Sequence, residues 1–335
     1  MAKRPDTSVP GLVIVDKPRG MTSHDVVARM RRLAHTRKVG HGGTLDPMAT
    51  GLLVVGIGAA TRLLTYVSGD SKSYDASIRF GFSTTTDDAE GEAVDIRGCD
   101  TLGCAAIDAA ITELRGEIMQ VPSTVSAIKV HGERAYALAR RGEDVALTAR
   151  PVTIHRFERT SRPRVGVAQV ESVDGGGARA SRSIRVVDVD VSVDCSSGTY
   201  IRALARDLGR ALGVGAHLTA LRRTRVGAFT LDDARSLSDL EEAVPAVEGG
   251  GGRAAPGLIS LDDAVRALFP SIPLTPEETA RFAHGVPPAR RRDEVSSGGS
   301  CGPIAALSPQ GRALGLVRFK ENRLITVCVF TGANT

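Results

Sequence analysis

Residues 187–202 read VDVDVSVDCSSGTYIR. Val187, Val189, Val191 and Val193 alternate with Asp188, Asp190 and Ser192, the period-two pattern of a strand with one dry face and one wet face. A helix follows, starting near Thr199 and stopping by Gly213, with Leu204, Leu208 and Leu212 turned inward. Upstream, Gly51 to Ile57 (GLLVVGI) reads as a buried strand and Tyr74 to Phe82 (YDASIRFGF) as another. Thr22 and Ser23 can cap a helix that carries Val26, Val27, Met30 and Leu33 on one face. Helices and strands therefore alternate through the first part of the chain. Beyond Gly257 the pattern changes. Thr275-Pro276-Glu277-Glu278 is a capping box with proline at the first helical position, and Gly285 ends that helix. Short strands follow at Ile304–Leu307, Ala313–Phe319 and Leu324–Phe330, which makes a small, mostly-β module.

Three stretches punctuate the chain: Asp174 to Arg182, Pro245 to Gly257 and Arg290 to Gly302. The second has nothing to pack and is the expected domain boundary. The expected division is 1–244, a linker at 245–257, and 258–335. The Gly-rich tract at 174–182 reads as an insertion.

The 335 residues suggest two domains, one large and one small. With 42% hydrophobic and 24% charged residues, wholesale disorder is excluded. No apolar run reaches about 18 residues, so no membrane span is expected. Leu12 to Val15 is too short for a signal-peptide core. The five cysteines form no CxxC pair, and no Cys/His spacing suits zinc; they read as reduced thiols in a cytoplasmic protein. The net charge of +5 carries meaning only where the basic residues cluster. Tryptophan is absent and tyrosine numbers four, so a site built on an aromatic has few candidates.

Three segments could carry chemistry. In Gly40 to Gly51, GHGGTLDPMATG, four glycines permit tight turns, and Pro47 pushes Asp46 towards extended conformations. Asp46 thus sits on a stiff loop feeding a buried strand, a suitable place for a nucleophile or base. A turn aspartate bonded to its own backbone is the competing reading. His41 has no second histidine within the segment, which argues against a metal. Gly56 to Thr61 lacks the third glycine of a dinucleotide fingerprint. The second segment runs from Arg202 to Arg225, with six arginines and one acid, on the helix and its following turn. Arg202, Arg206 and Arg210 are spaced by four and share a helix face. A stripe of one sign repels itself unless an anion lies opposite, and a phosphate backbone would serve. The third, Gln120 to Pro151, sets Lys129, Arg134, Arg140, Arg141 and Arg150 around Tyr136, a composition suited to RNA.

Taken in order, Lys17-Pro18-Arg19-Gly20-Met21-Thr22-Ser23, Gly40 to Gly51, Lys72-Ser73-Tyr74, Gln120 to Pro151, Gly198 to Arg202, Gly215 to Leu218 and Leu221-Arg222-Arg223 resemble the tRNA pseudouridine-55 synthases, the TruB family. The resemblance implies an α+β fold: a pseudouridine-synthase catalytic domain on a largely antiparallel mixed sheet, plus a small PUA-like RNA-binding domain. It implies isomerisation of one uridine in the TΨC loop of tRNA, without cofactor or metal. It makes Asp46 the essential aspartate and Arg202 its partner, which would favour the ionised carboxylate and fix its direction. Tyr74 would pack on the base and accept a proton from the sugar. Tyr200 and Leu221 would line the uridine pocket, and His41 would enter the RNA loop where the uridine leaves. Residues 120–151 would form a thumb over the RNA arm. Lys17, Lys129, Arg206 and Arg210 are expected on the RNA backbone. The expected partner is tRNA, with no membrane and no guide RNA, and the expected state is a monomer. Two alternatives stand beside this: an RNA-binding or tRNA-folding protein, and a pseudouridine synthase acting on another RNA.

Overall fold

The computed structural model describes residues 9–123, 129–130, 133–134, 147–173, 179–243, 254–295 and 302–330. Most of the thumb-like stretch at 120–151, the first five residues of the Gly-rich tract at 174–182 and most of the linker at 245–257 lie outside the described residues. In chain order the strands needed here are β1 Gly11–Lys17, β2 Val39–Gly42, β3 Thr50–Ile57, β4 Lys72–Phe80, β5 Gly116–Gln120, β6 Arg150–Arg159, β7 Arg164–Val173, β8 Arg179–Cys195, β9 Ala216–Val226, β10 Ser271–Pro273, β11 Ile304–Leu307, β12 Ala313–Lys320 and β13 Arg323–Val329. The helices needed here are α1 Ser23–Leu33, α2 Ile201–Ala211 and α3 Pro276–Ala283. The fold is α+β, with a mixed main sheet and a separate four-stranded sheet near the C-terminal end.

The chain divides into two compact units. One comprises Asp46–Leu52 and Gly69–Val226. Its strand order is β3, β9, β4, β8, β6, β5. β9 lies parallel to the start of β3, with Arg222 opposite Thr50 and Arg223 opposite Gly51. The β9–β4, β4–β8, β8–β6 and β6–β5 pairs are antiparallel. β7 folds back on the first half of β8. Val187, Val189, Val191 and Val193 are at most 1% exposed, as their alternation predicts. The acids between them form cross-strand pairs, Asp188 with Arg79 at 2.8 Å and Asp190 with Arg164 at 2.7 Å. α2 presents Ala203, Leu204, Ala205 and Leu208, all at 0% exposure, to the core. At Gly209 a Cβ would stand 2.3 Å from the Ala216 nitrogen, so only glycine lets the chain return this closely into β9. Arg222, Arg223 and Arg225 lie within β9 and not on a turn after the helix.

The other unit comprises residues 1–45, 53–68 and 227–335. In it β2 pairs antiparallel with the later part of β3, from Val39–Ile57 to Gly42–Val54. α1 begins at a capping box formed by Thr22 and Asp25. β10, β11, β12 and β13 form the four-stranded sheet in that order. Ile272, Phe282, Ile304, Val317 and Leu324 pack as its core, with Phe282 supplied by α3. The Thr275–Glu278 capping box and Pro276 start α3 as expected, and Gly285, at φ +84°, follows its end. Among the described residues no helix is long and apolar enough to cross a membrane.

Candidate active site

The loop between β2 and β3 carries Asp46. The Ala49 N–H donates to the Asp46 carbonyl at 3.1 Å, which closes a turn around Pro47. The side chain has other work: its Oδ2 lies 3.0 Å from Nε of Arg202. The aspartate side chain keeps 37% of its surface, whereas the arginine keeps 5%. A reachable carboxylate is thus held from below by a buried guanidinium.

Arg202 sits in the first turn of α2 and has a second acid. Its Nη1 lies 3.3 Å from Oδ2 of Asp88 and donates to the Thr86 carbonyl at 3.0 Å. Asp88 is 3% exposed. Its Oδ1 accepts from the Thr86 hydroxyl at 2.5 Å and from the Glu90 N–H at 3.0 Å. One guanidinium therefore stands between two carboxylates, one open and one buried. That geometry fixes its direction more firmly than a single pair could.

Tyr74 occupies β4 and is 7% exposed. Its neighbours in register are Val193 on β8 and Arg223 on β9. Burial pushes its phenol above the ordinary range; the charge and hydrogen bond of Arg223 oppose that, and Asp46 adds to it. Two residues earlier, Lys72 is pushed down to about 8 by burial and by Arg223. Leu221, 7% exposed, lies opposite Ala76 on the same pair of strands. Tyr200 is the N-cap residue of α2, and its main chain is clamped by Gln120. The Gln120 amide accepts from the Tyr200 N–H at 2.8 Å and donates to its carbonyl at 3.1 Å. Asp46, Tyr74, Arg202, Tyr200 and Leu221 all belong to one compact unit. His41 is described with the other unit, on β2 opposite Val55, with its ring edge-on to His24 at 5.3 Å.

The expected RNA-backbone residues part company. Lys17 is fully buried, and its ammonium donates to the carbonyls of Pro18 at 3.0 Å and Met21 at 2.7 Å. This corrects the sequence reading: Lys17 holds its own loop and offers no surface to a phosphate. Arg206 bridges Asp87 at 3.2 Å and Asp207 at 3.0 Å, and donates to the Val121 carbonyl at 2.7 Å. Arg210 is exposed. The anions facing the helix stripe are thus largely the chain's own aspartates. The Lys129 side chain lies outside the described residues. Among the described residues no group of three or more His, Cys, Asp or Glu side chains could hold a metal ion.

Residues 31–201 match the TruB family pseudouridylate synthase N-terminal domain. Residues 202–266 match the tRNA pseudouridylate synthase B C-terminal domain, and 269–331 the tRNA pseudouridine synthase II C-terminal domain. The chain belongs to the TruB family. It is 52% identical over 333 residues to tRNA pseudouridine synthase B of Arthrobacter sp. (strain FB24), covering 97% of each chain. It is 49% identical over 324 residues to the protein of that name from Mycobacterium tuberculosis (strain ATCC 25618 / H37Rv), again covering 97% of each. Among solved structures it resembles a chain in the crystal structure of a Cbf5-Nop10-Gar1 complex, at a TM-score of 0.67 and 23% identity, covering 99% of this chain and 92% of that one. That likeness concerns the fold.

Three residues of this TruB-family site escaped sequence reading: Asp88, Gln120 and Arg223. Asp88 lies in TTTDDAEG, residues 84–91, which reads as a plain acidic turn. Gln120 is a single amide at the edge of a basic stretch. Arg223 was one charge among six.

Proposed function

We propose that the chain isomerises uridine 55 in the TΨC loop of tRNA to pseudouridine. The observation that carries this reading is the half-open Asp46 carboxylate held at 3.0 Å by a buried Arg202. The reaction breaks the N-glycosidic bond, turns the uracil and joins its C5 to the same ribose carbon. The C5 hydrogen leaves as a proton and N1 gains one, so nothing is oxidised and no group is lost. A carboxylate of fixed direction beneath the sugar assists bond cleavage. Tyr74 packs on the base, takes a proton from the sugar as the glycosidic bond breaks and returns it to the same carbon once the C–C bond has formed. Tyr200 and Leu221 line the pocket. The uridine must leave its stack to be reached, at a cost of a few kcal/mol, and His41 fills the gap that it vacates.

Residues 120–151 act as a thumb over the RNA arm, and 258–335 as a PUA-like RNA-binding domain. The enzyme works as a monomer in the cytoplasm, without a guide RNA. The test is tritium release from tRNA carrying [5-3H]uridine. Asp46→Asn is expected to abolish release and leave tRNA binding nearly intact. Undiminished turnover in that variant removes Asp46 from the mechanism. A wild type that binds tRNA without ever modifying it makes the protein an RNA-binding one.

A further inference from the structure

Arg223 is the largest fully buried side chain of the described residues, at 1% exposure. Removing a guanidinium from water costs several kcal/mol, which an apolar side chain of that size would avoid. The position therefore asks for a polar task. Among its neighbours, the Leu52 carbonyl accepts from Nε at 2.8 Å, and the Tyr74 phenol, on the residue opposite it in register, is drawn towards ionisation by its charge and a side-chain hydrogen bond. The backbone places Arg223 between the same two elements, opposite Gly51 on β3 and opposite Tyr74 on β4. Gly51, at φ +98°, presses so closely that a Cβ there would come 2.3 Å from the Arg223 carbonyl oxygen. Arg223 thus ties the exit of the Asp46 loop to the phenol of Tyr74.

We propose that Arg223 is a positioning residue for Tyr74, holding the phenol oxygen at a fixed point relative to the Asp46 loop and setting a positive charge against it. This rests on the reading that Tyr74 works on the extruded uridine. The groups acting on the phenol are Arg223 from β9, Cys195 from β8 and Asp46 from its loop, with Lys72 two residues away on β4. Arg223 is the cation bonded to it, so its loss leaves burial and Asp46 to oppose ionisation.

The test uses the full-length enzyme and tRNA carrying [5-3H]uridine under single-turnover conditions. Arg223→Met is expected to slow isomerisation about 10–100-fold, the range for one hydrogen bond to a charged group, with tRNA affinity little changed. Arg223→Lys keeps the charge and is expected to recover part of the rate. In a Tyr74→Phe background the Arg223→Met change is expected to cost little more, because the partner atom is already gone. A second readout needs no turnover. The chain has four tyrosines, so tyrosine labelled at Cζ alone gives at most four carbon signals by NMR. Arg223→Met should move the Tyr74 signal and leave those of Tyr66, Tyr136 and Tyr200 in place. A Tyr74 signal that does not move overturns the proposal. So does a folded Arg223→Met enzyme with the wild-type rate, or an equal slowing by Arg223→Met with and without the phenol. If Arg223→Met does not fold, Arg223→Gln, which also removes the charge, takes its place in both readouts. A moved Tyr74 signal together with a Tyr74→Phe enzyme at full rate places the failure in the reading of Tyr74 and leaves the Arg223 contact standing.

Discussion

Asp88→Asn keeps the shape of a buried side chain and removes its charge, and its cost can be worked from the hydrogen bonds. Oδ1 of Asp88 accepts from the Thr86 hydroxyl and the Glu90 N–H, and Oδ2 faces Nη1 of Arg202. All three are donors, and an amide offers one oxygen and one NH2. If the oxygen serves Thr86 and Glu90, the NH2 confronts the guanidinium. If it serves Arg202, the NH2 confronts the Glu90 N–H. The first arrangement leaves a buried donor of Arg202 without its acceptor, at about 1–3 kcal/mol, and the second leaves the part-buried Glu90 N–H without one. Breaking a buried ion pair outright costs about 3–5 kcal/mol, but Arg202 keeps Asp46, so the cost stays at or below the bottom of that range. We expect a stability loss of roughly 2–3 kcal/mol. The same change loosens Arg202 beneath Asp46. If about half the loss falls on that contact, the isomerisation rate drops about tenfold, since about 1.4 kcal/mol corresponds to a factor of ten. The assay pairs a urea melt with single-turnover tritium release. Asp87→Asn is the control, because the ion pair of Asp87 is with Arg206, at 3.2 Å. An Asp88→Asn enzyme with unchanged melt and unchanged rate would refute the view that Arg202 needs both carboxylates.

Three further outcomes follow from the same structure. Gly51→Ala combines a left-handed φ of +98° with a Cβ 2.3 Å from the Arg223 carbonyl oxygen, so it should cost several kcal/mol in a urea melt and slow turnover; a neutral substitution would mean β3 and β9 part easily. Arg210→Ala should flatten the dependence of log Kd for tRNA on log salt by roughly 0.7–0.9, whereas Arg206→Ala should lower stability and leave the slope almost unchanged, because Arg206 already serves Asp87, Asp207 and the Val121 carbonyl; equal slope changes in the two variants would sink that division. His217 is 2% exposed and bonded through Nδ1 to the Phe82 carbonyl, and burial pushes its pKa below the ordinary 6.5. The unfolded chain then binds a proton that the folded one refuses, so stability falls as pH drops below about 6.5, and His217→Gln should lessen that fall; an identical acid limb in both proteins would exclude His217 as its source.

Much of the architecture was legible because burial leaves a periodic trace. The alternation in residues 187–193 is a strand edge-on to a core, and those valines are the ones buried in β8. The Thr275–Glu278 box likewise specifies its helix start locally. Nothing local announces β9. Its residues AHLTALRRTRV carry adjacent arginines, which propensity assigns to a surface turn. Arg223 is tolerated inside the sheet because two distant segments, Leu52 and Tyr74, bring acceptors to it, and sequence spacing holds no record of that meeting.

The arginine stripe on α2 shows the same limit from the other side. Spacing by four was enough to place Arg202, Arg206 and Arg210 on one helix face, and the inference that like charges in a row need anions opposite was sound. What spacing could not supply was the identity of the anions. Asp46, Asp87, Asp88 and Asp207 take up the first two arginines, so the stripe grades from buried to open along the helix. The grading divides the labour. The arginine at the helix start is available to direct a carboxylate because it is shielded from solvent, and the one at its last turn is available to a phosphate because it is not. A chain that used all three on RNA would leave Asp46 without a fixed direction. One that buried all three would leave no exposed arginine on that face of the helix for a phosphate to meet.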